Sequence, residues 1–125
     1  MRTLVILLAM LGCNTKHDTH ELLPIESYIS TPKRPSCGLT VPETELDPIV
    51  FPTFDGAKLF SETAGASAAT VCAEHDGFEV PRFTTCAQLD LLGGYGEPYY
   101  AKVVILDGDF AGRVGWVPAE YTTGR

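Results

Sequence analysis

Four cysteines and three histidines are the side chains of this 125-residue chain best suited to nucleophilic or metal chemistry near neutral pH. A Cys-His nucleophile would need Cys72 or Cys86 as a thiolate beside His75, and a disulfide in an oxidising compartment would abolish it. His17 and His20 would share a face only in an ordered segment, and with Cys37 they make a poor metal site without a second shell to orient them. Asp107 and Asp109 flank Gly108, which is turn chemistry rather than a carboxylate pair held for acid-base work. The run Gly93-Gly94-Tyr95-Gly96 lacks both the lysine and the strand-to-helix context of a phosphate loop. The expectation is a protein that is not an enzyme and holds neither metal nor cofactor. A small hydrolase would need an active site that these residues do not assemble.

The elements that would position such residues begin with composition. A formal net charge of -7 and a pI of about 4.8 argue against nucleic acid or an anionic membrane surface as partner, since both repel an acidic protein that has no basic patch. Lys33-Arg34 is the one basic pair. Hydrophobic residues at 45% suffice for one modest core. Residues 1–12 carry Arg2 and then an uncharged apolar run from Leu4 to Leu11, too short to span a bilayer and suited to a signal peptide. Its ending, Leu11-Gly12-Cys13, resembles the lipobox of bacterial lipoproteins, with Met10 and Leu11 departing from the preferred residues. That resemblance implies cleavage before Cys13 and a lipid on its sulfur, which anchors the chain to a membrane without spanning it. An ordinary signal peptide or an apolar N-terminus is the alternative. Asn14 is not the Asp that retains lipoproteins at an inner membrane, so the expected location is the periplasmic side of a bacterial envelope, with the outer membrane favoured.

After Cys13, three cysteines cannot all pair with one another. Cys72 and Cys86 would close a loop of about 15 residues, worth roughly 3 kcal/mol in the chain-entropy model. They are the expected pair, with Cys37 free or joined to another chain; bridges from Cys37 to either remain open.

Six of the nine prolines fall within residues 14–55, where Gly38 is the only glycine, so residues 13–55 read as a stiff extended tether. Residues 47–54, "DPIVFPTF", are apolar enough to pack on the domain as a first strand or flap. From residue 56 the texture is short β-like runs between turn signals, with no helical pattern long enough for a major helix. "AKLF" (57–60) reads as a strand, residues 69–83 as a hairpin turning at His75-Asp76-Gly77, and residues 99–106 as the strongest strand. A final strand at 113–117 stops at Pro118. Five such strands predict an all-β, small barrel over residues 56–125.

The order of "FSETAGASAATV", "PYYAKVVI", a turn and "GRVGWVPAEY" resembles Src-homology-3-like domains, including the bacterial type found in envelope proteins. It covers residues 56–122, and the stretch 84–98 is longer than the usual loop there. The resemblance implies a five-stranded barrel closed by a short turn of helix, with Trp116 in the core. Carried over position by position, the peptide groove of the family implies Phe60, Tyr99, Pro118 and Tyr121 as ligand contacts, with Glu62 facing a basic ligand. Tyr100 replaces or joins Tyr99, because a one-residue slip of register exchanges the two faces. The same rings could instead simply cap the barrel. "TPKRPS" (31–36) has the proline spacing of a possible ligand, which a proline-rich tether also produces by chance. Bacterial members imply a wall-targeting module that recognises peptidoglycan or its peptide stems. The alternative is an assembly factor that binds an envelope protein through a proline-rich or extended peptide.

Overall fold

A computed structural model describes residues 22–24, 36–63 and 66–123. Cys13, the apolar run before it and residues 31–35 lie outside them. Among the described residues no helix is long and apolar enough to cross a membrane.

The elements in chain order are β1 (Ser36–Leu39), β2 (Ile49–Val50), α1 (Phe54–Ser61), α2 (Ala66–Glu74), β3 (Phe78–Glu79), β4 (Thr84–Gly94), β5 (Glu97–Ile105), β6 (Val114–Pro118), a 3-10 turn (Ala119–Tyr121) and β7 (Thr122–Thr123). Strands dominate. The main sheet has five antiparallel strands in the order β6-β5-β4-β1-β7, and β2 with β3 makes a separate ribbon. The sheet is not closed: β6 and β7 are its two edges.

β5 alternates as expected of a strand rich in β-branched residues. Ala101, Val103 and Ile105 face one core with Leu39, Val50, Phe78, Val80 and Val117. Tyr100 and Val104 face the opposite side, where they belong to two further clusters. One gathers Phe51, Ala57, Cys72 and Trp116 beneath the helices; the other gathers Ala87, Leu106 and Val114, with Leu23 packed on it. Leu23 is held there by its N–H, which donates to Gly112 O at 2.8 Å.

Several expectations are corrected. Residues 57–60 lie in a helix, because Thr53 Oγ1 caps it by accepting from the Gly56 N–H at 3.1 Å and Asp55 stands in its first turn. Residues 69–74 are helical as well. The Asp-Gly pair that reads as a hairpin turn ends α2 instead: Asp76 takes a φ of 58° and the Gly77 N–H donates to Cys72 O at 2.8 Å, as in a Schellman cap. Phe78 then pairs not with the preceding segment but with Val50. The stretch 84–98, expected as a long loop, is most of a hairpin. Tyr95 and Gly96, with φ of 55° and 89°, form its two-residue turn.

Residues 36–55, expected as part of the tether, carry two strands of the folded unit, which therefore includes residues before 56. β1 runs between β4 and β7, with Leu39 fully buried, and β2 packs into the same core. This placement also overturns the expected Cys72–Cys86 bridge. Cys37 and Cys86 are cross-strand partners with Cα atoms 4.9 Å apart, and they are joined in a disulfide. Cys72 is buried on α2, in the cluster around Phe51.

Because 49 residues separate the two half-cystines, the bridge restricts a long segment of the unfolded chain and should contribute about 4 kcal/mol in the chain-entropy model. Chemical denaturation of the Cys37→Ala, Cys86→Ala double variant is expected to show a loss of that order. Mass spectrometry of unreduced peptides should recover Cys37 linked to Cys86, and a Cys72–Cys86 peptide would contradict the assignment.

Candidate functional site

The 3-10 turn that follows β6 brings the expected residues together. Tyr100 and Pro118 are partners across β5 and β6, so their side chains lie on one face of the sheet. Three residues on, Tyr121 is fixed by its own carbonyl, which accepts from the Thr40 N–H at 2.8 Å and so ties the turn to the end of β1. The C-terminal end of α1 supplies the opposite wall. Its Ser61 hydroxyl shares a hydrogen bond with the Tyr100 hydroxyl, which locks helix to sheet and satisfies the phenol of a buried residue.

The result is a cleft of about 280 Å³ whose walls include Glu62, Tyr100, Pro118, Glu120 and Tyr121, with Pro98 at its edge. A second, shallower depression of about 360 Å³ adjoins it across Pro98 and Pro118, and there Tyr99 forms the wall. Alternation along β5 puts the two tyrosines on opposite faces: Tyr100 is buried, whereas Tyr99 is 52% exposed. Both therefore contribute, in adjoining halves of one slot around Pro98.

Of the residues carried over from sequence, Glu62, Tyr99, Tyr100, Pro118 and Tyr121 are brought to this slot. Phe60 is not among its lining residues. As part of a helix rather than a strand, it turns its ring onto Phe51, with centroids 5.1 Å apart, and packs into the core below. Trp116 is buried as expected, edge-on to Phe54 at 5.5 Å. Sequence reasoning missed Ser61, Pro98 and Glu120. Pro98 and Glu120 flank residues already singled out, in "EPYY" and "PAEY"; Ser61 becomes visible only once α1 is known to be a helix.

No family model, no curated protein and no solved structure matches the chain.

The slot offers flat aromatic and proline surfaces under an acidic rim. Glu62 stands 3.4 Å from Lys58, one turn earlier on α1, Glu120 lies on the 3-10 turn, and between them the lining mixes polar groups with the surfaces of Pro98, Tyr100 and Pro118. Such a surface favours an extended, hydrogen-bond-poor chain bearing a positive charge. Nothing in it resembles a nucleophile with an oriented base. Asp107 accepts from the Thr85 N–H at 3.1 Å on a distant turn, and among the described residues no three His, Cys, Asp or Glu side chains converge as a metal site.

Tyr121 is the group whose titration reports on this environment. Partial burial, first, and then the charge of Glu120 and the neighbouring Tyr100 raise its pKa above the ordinary 10.0. The neutral phenol is thus favoured in the folded state. Its contribution to stability is fully present below pH 10.0 and is lost as the pH rises through the higher folded value. Phenolate absorbance against pH should include a late component from Tyr121 that Tyr121→Phe removes; a variant that leaves the late component unchanged would contradict the assignment.

Proposed function

We propose that this protein is a lipid-anchored binding module of the bacterial envelope, in which the Tyr100–Tyr121 slot takes the peptide stems of peptidoglycan. The observation that carries the proposal is the convergence of two tyrosines, two prolines and two glutamates from the end of α1, β5, β6 and the 3-10 turn on a single open cleft. Concave sites that set a few placed polar groups beside aromatic surfaces are an ordinary form of binding pocket. A stem peptide supplies both an extended backbone and an amine for the acidic rim.

The Cys37–Cys86 disulfide supports an oxidising compartment, in keeping with export. Cys13 would be the lipid-bearing residue, placing the module within reach of the wall from a membrane. We also infer that the sheet is an elaborated Src-homology-3-like unit. What supports this is the succession of the aromatic-led β5, a turn, β6, one turn of 3-10 helix and a last short strand, with α1 and α2 inserted in the long connection after β1. In this unit the first strand is β1, not residues 57–60.

The test is co-sedimentation of the purified chain, carrying Cys13→Ala so that no lipid is attached, with isolated sacculi. The parent is expected to pellet. Two solvent-facing charge contacts of about 1 kcal/mol each amount to roughly a 30-fold loss of affinity in the Glu62→Gln, Glu120→Gln double variant. Tyr121→Ala should weaken binding at least as much. A parent that stays in the supernatant refutes wall binding; if it then binds a proline-rich basic peptide in solution, the slot serves an envelope protein instead.

A further inference from the structure

On the far side of Tyr100 lies a third cavity, of about 430 Å³, between α1 and the β4–β5 hairpin. It shares Pro98 and Tyr100 with the cleft described above, so the two are halves of one trough interrupted at the Tyr100 ring. α1 walls both halves along a single face: Lys58 lies in one, and Ser61 and Glu62, three and four residues on, lie in the other. The wall opposite Lys58 includes the backbone of Gly93 and Gly94, whose φ of 131° and 106° suit glycine and leave no side chain there.

Among the described residues Lys58 is the only cation lining either half, and Asp55 and Glu97 line its own half beside it. Its Nζ stands 3.4 Å from Glu62 in the first half and 3.9 Å from Glu97 in the second. Both carboxylates are more than half exposed, at 57% and 66%. Ion pairs this long and this open contribute little and exchange partners readily. An incoming carboxylate could therefore take Lys58, and in doing so it would release Glu62 and Glu97 to an incoming amine.

We propose that the hairpin cavity is a second subsite of the trough, in which Lys58 receives a carboxylate of the ligand, so that the trough selects peptides carrying both an amine and a carboxylate over purely basic ones. This rests on the slot being a peptide site, and it names the ligand class more narrowly: a short extended peptide with charges of both signs. The two halves are occupied together. Charge complementarity is reciprocal, with the ligand amine on the glutamates at the helix end and the ligand carboxylate on the lysine one turn earlier.

Isothermal titration of the full chain with three acetylated, amidated hexapeptides tests it: one containing a Lys and a Glu, one with Gln in place of the Glu, and one with Gln in place of the Lys. The parent is expected to bind the doubly charged peptide about tenfold more tightly than the Gln-for-Glu analogue, as one added charge contact in a partly enclosed site would give. Lys58→Met should abolish that preference, and Lys58→Arg should restore it. Equal affinities in the parent, or a preference that survives Lys58→Met, overturn the second subsite alone. Absence of binding to all three peptides, with Tyr121→Ala indistinguishable from the parent, overturns the slot as a peptide site and this subsite with it.

Discussion

Phe51 and Trp116 exchange two backbone hydrogen bonds, of 3.1 Å and 2.6 Å, and much of the architecture depends on that exchange. It fastens the end of the β2–β3 ribbon to the outer edge of β6, an edge that would otherwise present unpaired N–H and C=O groups. Gly115 makes the approach possible, since a Cβ there would strike the Val50 side chain and come within 2.8 Å of the Phe51 carbonyl. Thr53, the cap of α1, follows two residues later, so the bridge also sets where the helix begins. From there α1 lies across β5 and β6, and its last turn meets Tyr100 through Ser61. The slot exists because helix and sheet are held at that distance.

The disulfide complements this constraint from the other end of the sheet. It fixes β1 to β4, while the Thr40–Tyr121 backbone bond fixes the 3-10 turn to the end of β1. The three walls of the slot are thus each tied to the sheet by a different contact: α1 by Ser61, β5 by its ladder, and the turn through β1. Recognition by such a surface depends on preorganisation, because little loop ordering has to accompany binding. The acidic rim adds orientation and long-range attraction for a cation more than it adds tight affinity.

The strands with the strongest patterns were legible in the sequence. β5 and β6 follow from β-branched and aromatic residues at period two, and Pro118 ends β6 where a residue without an N–H should. Most of the slot followed too, because Tyr99, Tyr100, Pro118 and Tyr121 sit on or just beyond those strands. What stayed hidden depends on tertiary context. α1 and α2 are only 8 and 9 residues long, too short for a lasting periodic pattern; α1 carries a glycine inside it, and the alanine-rich α2 has little helical periodicity. The Asp76-Gly77 pair serves a helix cap and a hairpin turn equally well. β1 is four residues in a proline-rich stretch, and only its partners β4 and β7 distinguish it from tether. The Cys37–Cys86 bridge was illegible for the same reason, since it requires knowing that those strands are neighbours. Phe60 was misassigned because a strand and a helix send the same residue to different faces.

We propose that a peptide ligand occupies the face where α1, β5 and the 3-10 turn meet. Mapping backbone amide shifts of the isotope-labelled full chain as soluble muropeptides are added tests it most directly. The expected result is that the largest changes fall at Glu62, Tyr100, Glu120 and Tyr121, with smaller ones at Gly94 beyond the Tyr100 ring. Changes centred instead on Leu46 and Phe83, or on the β1–β7 edge, would contradict it.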